Sequence, residues 1–321
     1  MFVTDSAPHR LQTKMQQGIL VTAYKHTDWL PRVVNRLGPD VAFFIHVDRK
    51  SSPRDQAQYR QLCHSQKNRI AVFSQYEVNW GGFNHLRAIL LLVQKALESG
   101  MDYCHLITGQ DYPVKSADYF HAELDGKKNF IEFFPLPTDQ WRHGGLDRLV
   151  YYHLHDVFDA RTRIGRLSLD FFTALQRTMH LKRSLPSTPR LYGGSTYWSL
   201  NRACLEYVLG YIEQAPAFLA RFRHTFCAEE IFFQTILANS PLHETLINDN
   251  RRYICWHGRH GSTPAILEGE DFGSIMSSDA LFARKMAYPM SQDLVDQIDL
   301  AVHSVIPHAG KQGGGYDGNG E

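Results

Sequence analysis

The chain has 321 residues, 43% of them hydrophobic and 21% charged, enough apolar side chain to fill the core of one large α/β domain. Its 34 basic residues nearly cancel 33 acidic ones, and the net charge of +1 excludes the strongly basic balance of a dedicated nucleic-acid binder. No run approaches the ~18 apolar residues of a bilayer span, and the opening MFVTDSAPHRLQTKMQQ lacks the apolar stretch of a secretion signal, so the expected location is the cytoplasm.

In chain order, residues 1–17 read as a flexible lead-in. Gly18–Ala23 (GILVTA) is a buried strand, Trp29–Leu37 has helical spacing, and Val41–Val47 (VAFFIHV) is a second buried strand ending in Asp48. Arg69–Ser74 is a third strand. Phe83–Glu98 is an amphipathic helix with Leu86, Ile89, Leu90, Val93 and Leu97 on one stripe. Tyr103–Thr108 and Asn129–Phe134 are the fourth and fifth strands. Such alternation predicts βαβ units and a mainly parallel sheet with helices on both faces. Ligands of such sheets sit beyond the carboxyl ends of the strands. Those ends are Tyr24–His26, Asp48–Lys50, Tyr76–Gly82 and Gly109–Tyr112.

The segment 156–190 is rich in Arg and Lys, with an amphipathic helix expected over Leu167–Leu181. It reads either as a solvated helical excursion or as an element that meets a membrane surface or an acceptor. The compact pattern resumes at Gly193-Gly194-Ser195. One domain over 18–309 is the simplest organisation, followed by a disordered glycine-rich tail over 310–321.

Five scattered cysteines without a CxxC pair suit reduced thiols, and none of the 17 histidines falls in an HxxxH or HExxH metal frame. Three segments could carry chemistry. Asp48, in HVDRK, stands where it can accept hydrogen bonds from a ribose diol or a uracil N–H, or cap the next helix. Glu229 and Glu230 open a helix in CAEEIFFQTIL; they are dipole complements, or one of them is a base for an acceptor hydroxyl. Arg284 and Lys285, in LFARKM, are surface cations or a clamp on a diphosphate.

Eight blocks in order resemble the core-2/I-branching β-1,6-N-acetylglucosaminyltransferase and peptide O-xylosyltransferase family, glycosyltransferase family 14. They are LVTAYKH (20–26), FFIHVDRKS (43–51), VNWGGFNHLRAIL (78–90), HLITGQDYPVKS (105–116), YGGSTYWSLNR (192–202), CAEEIFFQTIL (227–237), RRYICWHGRHG (251–261) and DFGSIMSSDALFARK (271–285). The resemblance implies a GT-A-like fold, a UDP-sugar donor, inversion at the anomeric carbon and no metal cofactor. The chain has no DxD motif, since Arg49 and Lys50 follow Asp48. Matched by position, Val21 and Asp48 hold the uridine and Trp80 contacts the donor. Glu230 is the base, with Glu229 its spectator neighbour. Arg284 and Lys285 clamp the diphosphate with Arg259 in support, and Glu132 and Trp256 lie near the acceptor.

The expected reaction moves N-acetylglucosamine to a hydroxyl of a glycan or peptide, in the cytoplasm or in peripheral contact with the inner membrane face. UDP-xylose is the alternative donor, and a non-catalytic carbohydrate-binding relative is the reading from another class. Two departures bear on this. Cys227-Ala228 stands where relatives often have Ser-Pro, and Thr196 stands where the xylosyltransferase branch carries Asp.

Overall fold

A computed structural model of the chain describes residues 15–25, 29–66, 69–123 and 126–303. Most of the expected lead-in and all of the glycine-rich tail lie outside the described residues, as does His26.

Among the described residues twelve strands follow in order: β1 Gln17–Ala23, β2 Val41–Val47, β3 Ile70–Phe73, β4 Tyr103–Thr108, β5 Tyr112–Pro113, β6 Asn129–Ile131, β7 Phe134–Pro135, β8 Tyr192–Gly193, β9 Trp198–Asn201, β10 Leu246–Ile247, β11 Arg252–Ile254 and β12 Phe282–Arg284. The main sheet has seven strands in the order β10-β6-β9-β4-β1-β2-β3. It is parallel except at β9, which runs antiparallel to both β4 and β6. Register aligns Val21 with Ile45 and Ile107, so the carboxyl ends of β1, β2 and β4 open on one edge.

Side chains alternate across the pleat and feed two cores. Ile19, Val21, Phe43, Ile45 and Ile107 join one, beneath the helices Leu30–Arg36 and Gln292–His303. Leu20, Phe44, Cys104 and Leu106 join the other, against the helix Phe83–Glu98. Covering both faces explains why these strands read as continuous apolar runs.

Three expectations change. The run 129–134 is two strands, because the chain leaves the main sheet after Ile131 and Phe134 pairs with Gly193. The helix of the basic segment spans Arg163–Thr178 and starts at a Thr162 cap whose hydroxyl accepts from Gly165 N–H at 3.0 Å. The lead-in gives way to structure one residue early, with Gln17 buried in β1. Among the described residues no helix is long and apolar enough to cross a membrane.

Candidate active site

Asp48 follows β2 directly and is buried. One carboxylate oxygen accepts from the Lys50 and Val78 backbone N–H groups, at 2.9 and 3.1 Å. The other is buried with no hydrogen-bond partner, and the Lys50 ammonium stands 3.9 Å away. Asp48 does not cap the next helix, Pro53–Ser65, because Ser52 does so, accepting from Asp55 N–H at 3.1 Å. Val21 is fully buried within the core, so its side chain forms packing beneath the strand ends.

The loop Trp80-Gly81-Gly82 brings the start of the helix Phe83–Glu98 against the turn Phe226-Cys227. Gly81 has φ +78°, and a Cβ there would lie 2.4 Å from the Phe226 ring. Cys227 N–H donates to Gly81 C=O at 3.0 Å. Trp80 is exposed and meets Phe226 edge-on at 5.2 Å. That turn delivers the helix Glu229–Ala238 with its two acids at the first turn.

The two carboxylates diverge, as neighbours about 100° apart on a helix must. Glu230 is partly open, its side chain 26% exposed. Arg148 donates to it at 2.5 Å and the Thr196 hydroxyl stands 3.5 Å from its other oxygen. Burial raises its pKa against the pull of the Arg148 cation, with the Glu229 charge adding to the rise. Glu229 is buried, 3.0 Å from the Nδ1 of His85, whose Nε2 lies 3.2 Å from the Thr22 hydroxyl. Burial works against the His85 imidazolium, but the charge and hydrogen bond of Glu229 outweigh it and raise its pKa. Glu229 is therefore a structural partner of His85, beyond the bystander that the sequence suggests.

Arg148 itself was not foreseen. It lies over the Trp141 ring, 3.6 Å from the centroid, and nothing in GGLDRLV signals a carboxylate partner more than 80 residues on, Glu230 being 82 away. Its cation favours the ionised form of Glu230. Replacing Arg148 with Gln is therefore expected to raise the Glu230 pKa further and move the acid limb of the kcat/KM–pH profile to higher pH. An unchanged limb, measured across the acid and neutral range, would separate Arg148 from the ionisation of Glu230.

The cations converge from three directions. Arg284, at the end of β12, is buried against Asp111, at 3.3 Å, and lies over the Tyr197 ring at 4.2 Å. Asp111 in turn accepts from the Thr108 N–H and hydroxyl, which ties Arg284 to the carboxyl end of β4. Lys285 stands 3.3 Å from the Ser262 hydroxyl. Burial lowers its pKa, and the nearby Arg284 and Arg161 cations lower it further. Arg161, carried in by the basic segment, lies over Tyr24 at 4.9 Å from the ring centroid. Asp159 of the same segment lies 3.6 Å from Lys50, and Asp156 accepts from Asn84 N–H at 3.1 Å. The segment is thus anchored on the site, and the basic composition of 156–190 was its one signal in the sequence.

The remaining candidates are less central. Arg259 is held by Asp271 and Glu270, both at 2.7 Å. Trp256 is exposed. Glu132 accepts from Asn250 at 3.2 Å, and burial pushes its carboxyl above the usual range. Its backbone carbonyl packs on Gly194, where a Cβ would lie 1.9 Å from that oxygen, and Gly194 N–H donates to Glu230 C=O at 2.8 Å. Among the described residues no group of three or more His, Cys, Asp or Glu side chains is placed to hold a metal ion.

Residues 19–276 match the family model described as Core-2/I-Branching enzyme. The chain belongs to the Core-2/I-branching enzyme family. This is a family of glycosyltransferases, and the match covers Asp48, the Trp80 loop and Glu230 while ending before Arg284 and Lys285. Xylosyltransferase 2 of Rattus norvegicus is 25% identical over 287 residues, covering 83% of this chain and 31% of that protein. Xylosyltransferase 1 of Homo sapiens is 25% identical over 290 residues, covering 84% of this chain and 28% of that protein. The chain thus spans about a third of the length of these relatives.

Proposed function

We infer that this family member transfers a sugar from a UDP-sugar to an acceptor hydroxyl with inversion, Glu230 acting as base and no metal taking part. The observation that carries this is the pairing of a partly open, Arg148-held carboxylate of raised pKa with the Arg284–Lys285–Arg161 cation group. In the step proposed, the Glu230 carboxylate takes the acceptor hydroxyl proton. The oxygen bonds to the anomeric carbon, and the bond from that carbon to the β-phosphate oxygen breaks, sending its electron pair to UDP. Negative charge grows on the leaving phosphate, where preorganised cations do what a metal would otherwise do. The unpartnered oxygen of Asp48 is suited to accept an N–H or O–H from the uridine.

N-acetylglucosamine is the sugar we favour, on a glycan or peptide acceptor. Thr196 supports it, since it adjoins Glu230 where the xylosyltransferase branch carries Asp. UDP-xylose is the second reading, favoured by the xylosyltransferases at 25% identity. The cytoplasm is the compartment proposed, and all five cysteines are free, as a reducing compartment would keep them.

A panel of UDP-sugars, assayed for acceptor-stimulated UDP release with and without EDTA, tests the reading. UDP-N-acetylglucosamine is expected to give the highest rate, unchanged by chelation. Loss of UDP release in EDTA and its return with manganese would overturn the metal-free mechanism, and no release from any donor would overturn the activity.

A further inference from the structure

The helix Arg163–Thr178 divides into three sectors at about 100° per residue. Gly165, Leu169 and Gln176 face the protein and are buried. Ile164, Leu167, Phe171 and Leu175 form a second sector that faces solvent, with exposures of 79%, 60%, 62% and 40%. Met179, Leu181 and Leu185, beyond the helix, are also exposed. Arg163, Arg166 and Arg177 form the third sector, exposed beside the apolar stripe, and Lys182 follows. Asp170 is the one acid of the helix.

Fold stability does not account for the stripe, because the helix already buries its opposite side. A contiguous exposed apolar face marks a surface that is covered in use. The charge beside it selects the cover. A row of guanidinium groups flanking Phe and Leu on one helix is the pattern of a helix lying in a bilayer interface, apolar face among the acyl chains and cations at the lipid phosphates. The helix is also coupled to the site: the arm leading into it places Asp159 by Lys50 and Arg161 by Tyr24.

We propose that Arg163–Thr178 is an interfacial helix that docks this protein on an anionic lipid surface, so that its acceptor is met at the membrane. Docking is independent of which sugar is transferred, and its test needs no turnover.

The full chain is sedimented with vesicles of phosphatidylcholine alone or mixed with phosphatidylglycerol. Binding to the mixed vesicles is expected to exceed binding to the neutral ones and to weaken with salt. Leu167→Glu combined with Phe171→Glu is expected to lower it by more than about tenfold, since each exchange removes a large side chain from the acyl region. Arg163→Glu combined with Arg166→Glu is expected to lower binding to the anionic vesicles alone. Melting temperature should be unchanged in both double variants, which separates a docking defect from a folding one. Wild-type protein that ignores both vesicle types overturns the proposal. So does binding that the Leu167/Phe171 pair leaves intact. A wild type that sediments as a dimer, with the apolar variant monomeric and neither on vesicles, assigns the stripe to a second copy and also overturns it.

Discussion

Glu230→Gln is expected to lower kcat by roughly 10²–10⁴-fold, the usual worth of a positioned general base, with donor affinity retained. The amide keeps the shape of the side chain and can still accept from Arg148, but it cannot take a proton. Donor affinity survives because the cations that would meet the diphosphate, Arg284 and Lys285, are held by Asp111 and Ser262. Calorimetric titration with UDP and steady-state kinetics with the same preparation separate the two effects. Near-normal kcat would remove Glu230 from the chemistry. Glu229→Gln gives a graded contrast. Buried against His85, Glu229 is closed to an acceptor, yet its charge supports the His85 imidazolium. A smaller loss than for Glu230→Gln is expected there.

The second large effect falls on the cations. Losing one contact to a developing oxyanion costs about 2.7–4 kcal/mol, or on the order of 10²–10³ in kcat. Lys285→Ala is the clean case, since among the described residues its ammonium donates to the Ser262 hydroxyl and holds no buried carboxylate. A drop in kcat that exceeds the rise in donor KM is expected, because in the proposed step the leaving phosphate carries more charge in the transition state than in the bound donor. Arg284→Ala is less clean. Asp111 is buried, and removing Arg284 leaves that carboxylate with the Thr108 donors but without its cation, so the variant loses stability as well as the contact. Arg284→Lys keeps the charge and loses the fork, so it is the variant to compare. Combining Lys285→Ala with Glu230→Gln should cost less than the product of the single losses, since in the proposed step both groups serve one transition state. Wild-type kcat in Lys285→Ala and Arg284→Lys would leave these residues as structural cations.

The fold was most legible where burial is extreme. Val41–Val47 and Tyr103–Thr108 are mostly apolar because both sheet faces are covered, and Phe83–Glu98 shows its period because one side packs and the other does not. The strand β9 lies outside the five expected from the sequence, and its direction is illegible there, since a strand buried on both faces carries no sign of its neighbours' polarity. The helix Gln292–His303 was overlooked although Leu294, Val295 and Ile298 mark its buried stripe. Within the site, the residue types alone mark Glu229 and Glu230 as a pair and only the family resemblance singles out Glu230, because the tertiary structure decides which one the core encloses. Arg148 and Arg161 act through partners far along the chain or on other elements, so no local pattern announces them.

A single displacement driven by Glu230 is tested most directly by the configuration of the new bond. The α-linked UDP-sugar that turns over is incubated with the protein and its acceptor, and the anomeric proton of the first product is followed by NMR. Inversion predicts a β-glycoside from the earliest time point. An α-glycoside would contradict the single displacement, because retention requires a second displacement or front-face chemistry that a general base at Glu230 does not provide.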